Sequence, residues 1–258
     1  MAAGSPPVRY ERSGAAALLT IDRPERRNAI DGPTAEALHD AFRAFVADAH
    51  ARVLVVCGSG EAAFCAGADL KALDTMGPRL DLPEGPLGFT RLASPRPTIA
   101  AVSGWCLAGG FELALWCDLR VATPSARFGF TERRFGVPLI DGGTQRLPRI
   151  VGSGRALDLV ISGRVIDVEE ADRFGLVTEI VAAGGHVERA LAMAEAIAAF
   201  PQDTMLSDRR AVLEGAGLPL AQGLQLEAQL GRGRHATALE GAARFAGGEG
   251  RGAQGSGI

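Results

Sequence analysis

Apolar and polar residues succeed one another along the first half of the chain in blocks that predict strands and helices in turn. Ala15 to Ile21 and Val53 to Cys57 are short apolar runs closed by turn residues, a pattern typical of buried strands. Between them, residues 34–49 carry apolar side chains at helical spacing, and Asp31-Gly32-Pro33 supplies a helix start signal. These blocks predict one β–α–β unit.

The same pattern returns in the next part of the chain. Residues 97–102 and 119–122 predict strands, and residues 110–116 between them predict a short helix. Strands that alternate with helices are typical of α/β architecture. Residues 74–88, which contain three prolines and three glycines, predict a loop within this core.

Beyond residue 150 the sequence is mainly helical. Asp167 and Glu170 are spaced as a capping box at a helix start, and residues 177–181 predict a last strand. The predicted helices of this part cover residues 155–161, 171–174, 186–200, 204–213 and 219–245. We therefore predict a core over residues 1–196 and a helical region over residues 197–258, whose glycine-rich end we expect to be disordered from residue 247.

The charge balance excludes several classes of partner. The chain has 27 basic and 30 acidic residues, a net charge of -3 and a pI near 5.9, which offer no general attraction for nucleic acid or anionic lipid. Lys71 is the only lysine, and its neighbours Leu70 and Ala72 do not form a phosphate-binding P-loop. No apolar run reaches the roughly 18 residues of a membrane span, so we expect no membrane partner.

The cysteines and histidines show no metal or redox motif. The four cysteines, Cys57, Cys65, Cys106 and Cys117, form no C-x-x-C pair, and the four histidines lack the spacing of a zinc site. We expect no bound metal and four buried, reduced thiols. Because no N-terminal targeting pattern is evident, we expect a cytoplasmic protein.

Two segments rich in small residues each follow a predicted strand and precede helix-compatible sequence. They are residues 63–70, Ala-Phe-Cys-Ala-Gly-Ala-Asp-Leu, and residues 102–113, which include Gly109-Gly110. Small side chains at such a junction let a ligand approach the backbone, and free N–H groups at a helix start can bind negative charge. A tight turn that requires glycine is the alternative explanation.

Two glutamates lie among apolar and small residues. Glu112 falls in the first turn of the helix predicted after Gly109-Gly110, and Glu132 follows a phenylalanine-glycine repeat. Partly desolvated carboxylates can divide the roles of general acid and general base, because their environments separate their pKa values. The alternatives are helix capping for Glu112 and a salt bridge with Arg133 or Arg134 for Glu132.

These segments and two others carry a resemblance to a known family. Phe64 to Leu70, Gly109 to Ala114, Asp118 to Ala122 and Gly142 to Pro148 are similar in order and spacing to motifs of the enoyl-CoA hydratase/isomerase (crotonase) superfamily. The similarity runs from about Ala16 to Phe200, and the helical tail also fits. The resemblance implies an α/β, crotonase-like spiral of β-β-α turns with a C-terminal helical trimerisation region.

The resemblance also implies a substrate, an assembly and site residues. The substrate would be an acyl-CoA thioester, handled without a metal or redox cofactor by a homotrimer or homohexamer. The N–H groups of Ala66 and Gly109 would form an oxyanion hole for the thioester oxygen. The residues that would bind substrate are Ala66, Gly67, Ala68, Asp69, Leu70 and Gly109.

The leading hypothesis for the reaction depends on two glutamates. Glu112 and Glu132 occupy the positions of two catalytic glutamates in hydratases of the family, where one activates water and the other delivers or holds the proton at the α carbon. The resemblance therefore favours an enoyl-CoA hydratase that adds water across the double bond of a 2-enoyl-CoA. Trp105 and Phe111 are bulky and near the site, where they either narrow the acyl pocket or fill the core.

Asp141 keeps other hypotheses open. It follows Pro138, Leu139 and Ile140, where many relatives have a proline, glycine and alanine run, and it falls near a catalytic aspartate of dienoyl-CoA isomerases. A double-bond isomerase that uses Glu132 with Asp141 as an additional acid is thus one alternative. Capping of the following turn or helix is the structural explanation of Asp141. A non-catalytic acyl-CoA-binding protein of the same fold is a further alternative.

Overall fold

Ten strands in two sheets occupy the first part of the chain in the computed structural model, which describes residues 6–249. The strands are β1 (Val8–Ser13), β2 (Ala16–Ile21), β3 (Val53–Gly58), β4 (Ala63–Cys65), β5 (Thr98–Val102), β6 (Trp105–Leu107), β7 (Leu119–Ala122), β8 (Arg127–Gly129), β9 (Val165–Asp167) and β10 (Glu179–Ile180).

The described residues also form nine α-helices and three 3₁₀ helices. The α-helices are α1 (Gly32–Ala47), α2 (Gly109–Trp116), α3 (Gly143–Val151), α4 (Ser153–Ser162), α5 (Val168–Arg173), α6 (His186–Ala198), α7 (Gln202–Gly215), α8 (Leu220–Arg232) and α9 (His235–Ala246). The 3₁₀ helices are Pro24–Arg26, Leu70–Arg79 and Thr131–Phe135.

Pairs of consecutive strands build the two sheets. The larger sheet has the order β1-β2-β3-β5-β7-β10, and the smaller has the order β4-β6-β8-β9. In the pairs β3–β4, β5–β6 and β7–β8, the first strand joins the larger sheet, the second joins the smaller, and a helical segment follows. The strands from β2 to β10 of the larger sheet pair in parallel. This repetition is the series of β-β-α turns that the resemblance implies.

Both predicted β–α–β units are present. β2 and β3 pair in parallel and are connected by α1, while β5 and β7 pair in parallel and α2 lies between them in the chain. Asp31 caps α1 by accepting the N–H of Thr34 at 2.9 Å. Asp167 caps α5 by accepting the N–H of Glu170 at 2.8 Å. Both helix starts are therefore confirmed.

The hydrophobic core explains why α1 keeps its position. Ala35, Leu38, Phe42 and Phe45 lie on one face of α1 at helical spacing and are buried. β3 is buried along its whole length, as expected of a central parallel strand covered on both faces. Because burying one phenylalanine stabilises a fold by about 1.5–3 kcal/mol, this face fixes α1 firmly. The four cysteines are free and buried, which confirms that part of the prediction.

The structure corrects the sequence prediction in several places. Part of the predicted 74–88 loop belongs to the 3₁₀ helix Leu70–Arg79, which is kinked at Ala72. The single helix predicted over 219–245 is divided into α8 and α9 at Gly233, since glycine favours a helix end. The predicted disordered tail lies, from residue 250, outside the described residues.

Several strands escaped prediction for a physical reason. β4, β6, β8 and β9 have three residues each, too few to show a period of two. β1 is polar and mostly exposed, because it lies at the edge of the larger sheet.

The described residues form two compact units, one up to Ala194 and one from Glu195 onward. The second contains α7, α8 and α9. Within residues 6–249, no helix is both long enough and apolar enough to cross a membrane. The same residues contain no group of three or more His, Cys, Asp and Glu side chains arranged to hold a metal ion.

Candidate active site

The segment after β4 and the start of α2 touch each other through glycines. Gly67 has φ +89°, and a Cβ there would lie 2.8 Å from the N atom of Gly109 and 2.9 Å from the Cβ of Ala108. A Cβ on Gly110 would lie 2.1 Å from the carbonyl oxygen of Cys65. Only glycine permits this approach, so the small residues singled out in the sequence serve backbone packing as well as any ligand.

The turn into α2 leaves an N–H group available. Ala108 precedes the helix with φ 51° and ψ −128°, and its own N–H donates to the carbonyl oxygen of Gly129 at 2.9 Å. The next residue, Gly109, is the first of the helix and therefore has no intrahelical acceptor for its N–H. The positive end of the α2 dipole lies at the same point.

On the opposing segment, Ala68 rather than Ala66 has an available N–H group. The N–H of Ala66 donates to the carbonyl oxygen of Arg27 at 3.1 Å. The residues beside Ala68 are both bonded to Ile30, while the N–H of Ala68 donates to no acceptor among the described residues. An oxyanion donor must keep its N–H for the ligand, so the structure favours Ala68 over the predicted Ala66.

Asp69 serves the fold of this segment. Its carboxylate is buried, accepts the N–H of Lys71 at 3.1 Å and pairs with the guanidinium of Arg23 at 3.2 Å. Of the residues predicted to bind substrate, Ala66, Ala68, Leu70 and Gly109 line the cavity described below, whereas Gly67 and Asp69 do not. Asp69 therefore anchors the segment without forming part of the cavity wall.

Glu112 is fixed by the turn before α3. It projects from the first turn of α2 and is only 2% exposed. Its Oε1 accepts the N–H of Asp141 at 3.0 Å and of Gly143 at 2.7 Å. Burial raises the pKa of Glu112 to about 8, although these N–H donors oppose the rise. The capping alternative is wrong, because no side chain caps the start of α2.

Glu132 is held quite differently. It lies in the 3₁₀ helix Thr131–Phe135, is 6% exposed, and both of its carboxylate oxygens are buried without a hydrogen-bond partner. Burial raises the pKa of Glu132 to about 6, with smaller opposing effects from its own backbone N–H and then from the charge of Arg133. No ion pair joins Glu132 to Arg133 or Arg134 among the described residues, so the salt-bridge alternative is not supported.

Asp141 joins two loops and also reaches the cavity. Its Oδ1 accepts the N–H of Leu87 at 3.2 Å and a short hydrogen bond from the hydroxyl of Thr90. The predicted capping role is absent, because no side chain caps α3. Burial raises the pKa of Asp141, and its charge in turn raises the pKa of Glu112. The charge of Glu132 also raises the pKa of Glu112, by a smaller effect.

Arg146 supports the backbone of the site, a contact that the sequence analysis did not predict. Its guanidinium donates to the carbonyl oxygen of Asp141 at 2.7 Å and to that of Thr90 at 2.6 Å. Asp141 is therefore held at both ends of its backbone, because its N–H donates to Oε1 of Glu112 and its carbonyl oxygen accepts from Arg146. Gly142 beside it has φ +103°, a backbone conformation that favours glycine. Arg146 lies in the Gly142 to Pro148 motif, but the sequence does not show that its guanidinium binds these two carbonyl groups.

A cavity of about 540 Å³ brings these groups together. Ala68, Gly109, Glu112, Glu132 and Asp141 all line it. Most of the remaining wall is apolar: Leu70, Leu73, Met76, Leu80, Pro86, Leu87, Leu107, Phe135, Val137 and Ile140. A cavity of this size and composition is suited to a small organic ligand with a few fixed polar contacts.

The two bulky residues near the site differ in position. Phe111 is fully buried, and its ring centroid lies 4.8 Å from that of Phe130 and 5.6 Å from that of Phe128. Trp105 is 38% exposed. Neither lines the cavity. Phe111 therefore fills the core, and neither side chain narrows the cavity.

Comparisons with known proteins agree on one family. A sequence profile of the family described as Enoyl-CoA hydratase/isomerase matches residues 11–248. A probable enoyl-CoA hydratase of Rhizobium meliloti (strain 1021) is 41% identical over 233 residues, 88% of this chain and 89% of that protein. A crotonyl-CoA hydratase of Syntrophomonas wolfei is 41% identical over 175 residues, 66% of this chain and 67% of that protein.

The solved structures agree with the sequence relatives. The crystal structure of an enoyl-CoA hydratase from Mycobacterium marinum superposes with a TM-score of 0.88 at 34% identity, covering 94% of this chain and 96% of that one. An enoyl-CoA hydratase from Bacillus anthracis gives a TM-score of 0.86 at 34% identity, with 93% and 95% covered. The crotonase-type fold with C-terminal helices is confirmed by this likeness.

Proposed function

The chain belongs to the enoyl-CoA hydratase/isomerase family, and from this premise we propose that it adds water across the double bond of a 2-enoyl-CoA thioester. The observation that carries the proposal is the meeting of two buried glutamates and two available N–H groups at one cavity. Addition of water neither oxidises nor reduces the thioester, so the reaction requires no redox cofactor.

The N–H groups of Ala68 and Gly109 would stabilise the charge that develops on the thioester oxygen. Attack at the β carbon moves an electron pair from the double bond onto that oxygen, which becomes enolate-like. Fixed N–H donors at such an oxygen contribute about 3–4 kcal/mol each in comparable sites. Because both belong to backbone segments locked by glycine contacts, they need no rearrangement during the reaction.

The two glutamates would supply the proton transfers. Hydration requires one ionised carboxylate, which accepts a proton from water, and one protonated carboxyl group, which gives a proton to the α carbon. With pKa values of about 8 for Glu112 and about 6 for Glu132, the pair carries a single proton near neutral pH. That protonation state provides the base and the acid together.

The test is hydration of crotonyl-CoA by the purified protein. We expect loss of the absorbance of the conjugated thioester, a product heavier by one water, and a rate lowered at least about a hundredfold in Glu112→Gln and in Glu132→Gln. No gain of water with crotonyl-CoA or with a longer 2-enoyl-CoA would refute the proposal.

A double-bond isomerase is the second candidate, favoured by the third carboxyl group. Asp141 lines the same cavity as Glu132, so a proton could be removed at one carbon and returned at another. Incubation with a 3-enoyl-CoA and a dienoyl-CoA tests this function. Double-bond migration that survives Glu112→Gln but is lost in Asp141→Asn would support the isomerase, and migration insensitive to Asp141→Asn would exclude a role for it.

We also propose that the protein assembles as a homotrimer or hexamer. α8 and α9 contain no buried residue, yet Leu220, Leu224, Leu239 and Phe245 are large apolar side chains that are more than half exposed. Exposed apolar side chains on adjacent helices favour association. A molar mass near 27 kDa in light scattering, that of one 26.8 kDa chain, would contradict the proposal.

A further inference from the structure

The ionisable groups that line the cavity all have the same sign. They are Glu112, Glu132 and Asp141, and no arginine, lysine or histidine is among the described residues of the cavity wall. The proposed hydration occupies the two glutamates. It leaves Asp141 without a part in the reaction, although Asp141 is only 4% exposed and lines the cavity.

Asp141 is held so that one oxygen faces the protein. Its Oδ1 accepts both the N–H of Leu87 and the hydroxyl of Thr90. Its Oδ2 accepts no hydrogen bond from any described residue. Because Asp141 lines the cavity and Oδ1 is engaged by the 87–90 segment, Oδ2 is the oxygen left for a ligand.

The cations near Asp141 are engaged elsewhere. The guanidinium of Arg146 donates to the carbonyl oxygens of Asp141 and Thr90, and that of Arg91 donates to those of Ile140, Leu80 and Leu82. Neither arginine lines the cavity. They favour the ionised form of Asp141 without presenting a positive charge to the ligand.

The surroundings of Asp141 strengthen its effect on a ligand. Pro86, Leu87 and Ile140 are apolar residues that line the same cavity as Asp141. Charges act over such a surface in a lower effective dielectric than water, so attraction and repulsion are both larger than at the protein surface.

We propose that Asp141 selects the acyl group by charge, favouring a group that carries a cationic hydrogen-bond donor and rejecting one that carries a carboxylate. This inference rests on the proposed hydratase function and defines the class of 2-enoyl-CoA that the cavity takes. A carboxylate would meet Oδ2 without a cation to compensate, whereas an ammonium group would donate to it.

The test uses three 2-enoyl-CoA thioesters of nearly equal shape. They carry at C4 a carboxylate, an isopropyl group or a protonated dimethylamino group, which are close in size and differ in charge. The same series measured with Asp141→Asn cancels the different effects of these groups on the reactivity of the double bond. We expect kcat/KM for hydration to rise at least about tenfold at each step from negative to neutral to positive.

Asp141→Asn isolates the residue responsible. An asparagine oxygen can still accept from Leu87 and Thr90, so the loops keep their connection while the charge is removed. In Asp141→Asn we expect kcat/KM to change by less than about threefold between successive thioesters of the series. Asp158→Asn is the matched control, because Asp158 is an exposed carboxylate paired with Arg164 outside the cavity, and we expect it to leave the ratios unchanged.

The outcomes separate this inference from the function on which it rests. Absence of hydration of the isopropyl thioester and of crotonyl-CoA would overturn the hydratase proposal and this inference with it. Hydration of all three thioesters at similar kcat/KM, or ratios that Asp141→Asn leaves unchanged, would overturn the inference alone. If Asp141→Asn does not fold, Asp141→Ser takes its place, because it also removes the charge, and ratios equal to those of the parent contradict the inference.

Discussion

The two glutamates of the cavity are both buried, yet the protein treats them in opposite ways. Oε1 of Glu112 accepts two backbone N–H groups, whereas neither oxygen of Glu132 has a hydrogen-bond partner among the described residues. One carboxyl group is oriented by the fold, and the other is left to interact with what enters the cavity. The difference indicates a site with one preset group and one that is completed by its ligand.

The contrast has a local structural origin. Glu112 stands on a regular helix packed against the 141–143 turn, where a Cβ on Gly143 would lie 2.9 Å from Cγ of Glu112. Glu132 stands on a single 3₁₀ segment whose next residues, Arg133 and Arg134, are exposed. The polar groups near Glu132 therefore face outward, away from its carboxylate.

Removing either carboxylate gives the largest expected effect. Glu112→Gln and Glu132→Gln keep the size of each side chain and delete its ability to transfer a proton, so we expect kcat to fall at least about a hundredfold in each. Steady-state kinetics with crotonyl-CoA measures the loss, and circular dichroism checks the fold. A variant that retains more than a tenth of the parent rate would show that its glutamate is dispensable.

The pH dependence of activity sharpens the comparison. Glu132 ionises above its pKa of about 6, and Glu112 remains protonated below its pKa of about 8. We expect kcat/KM to rise up to about pH 6 and to fall above about pH 8, because the pair then holds one proton. In the residual activity of Glu112→Gln the alkaline fall should disappear. A parent profile that is flat between pH 5 and pH 9 contradicts this assignment.

Substitution of Arg146 tests whether the orientation of Glu112 matters, because it leaves the Glu112 carboxylate in place. Arg146→Gln removes the clamp on the Asp141 and Thr90 carbonyl groups, so we expect kcat to fall roughly tenfold with little change in KM, as positioning effects of this kind do. Arg146→Lys should recover part of the loss.

The matched control for Arg146 is Arg149→Gln on the same helix. Arg149 is exposed and donates only to the carbonyl oxygen of Gln145 among the described residues, so its loss should leave kcat unchanged. Equal effects of the two variants would mean that Arg146 only stabilises α3.

The smallest expected effect is a change in the free energy of unfolding when either glutamate is replaced. A carboxyl group whose pKa is raised by folding costs stability as pH rises above its unfolded value, and the cost is complete above the folded pKa. Glu112→Gln should therefore raise the free energy of unfolding at pH 9 by on the order of 2 kcal/mol, and by less at pH 5. Glu132→Gln should raise the free energy of unfolding by a smaller amount, because folding raises the pKa of Glu132 less than that of Glu112. Urea unfolding at both pH values measures the difference, and a loss of stability in Glu112→Gln at pH 9 contradicts the account.

The sequence predicted the central strands and the regular helices because burial marks them clearly. β2, β3 and α1 follow from apolar runs and periodicity, and the resemblance supplied the order of the remaining turns. The three-residue strands were not predicted, because their pairing partners lie far along the chain and leave no local pattern in the sequence. The large sheet was therefore more predictable than the small one.

Within the site, residue types were predictable and hydrogen bonds were not. Glu112 and Glu132 could be singled out from their apolar neighbours, but nothing in the sequence reports that the N–H of Ala66 is engaged by Arg27 while that of Ala68 is not. The clamp made by Arg146 also depends on carbonyl groups that every residue carries. Such roles are set by the path of the backbone.

The most direct test of the account is the mass of the product formed from crotonyl-CoA in water enriched in oxygen-18. Hydration predicts a product heavier than crotonyl-CoA by one labelled water, formed by the parent protein and at least about a hundredfold more slowly by the variant in which Glu112 and Glu132 are both glutamine. A product of unchanged mass, or labelled product formed equally fast by that double variant, would contradict the account.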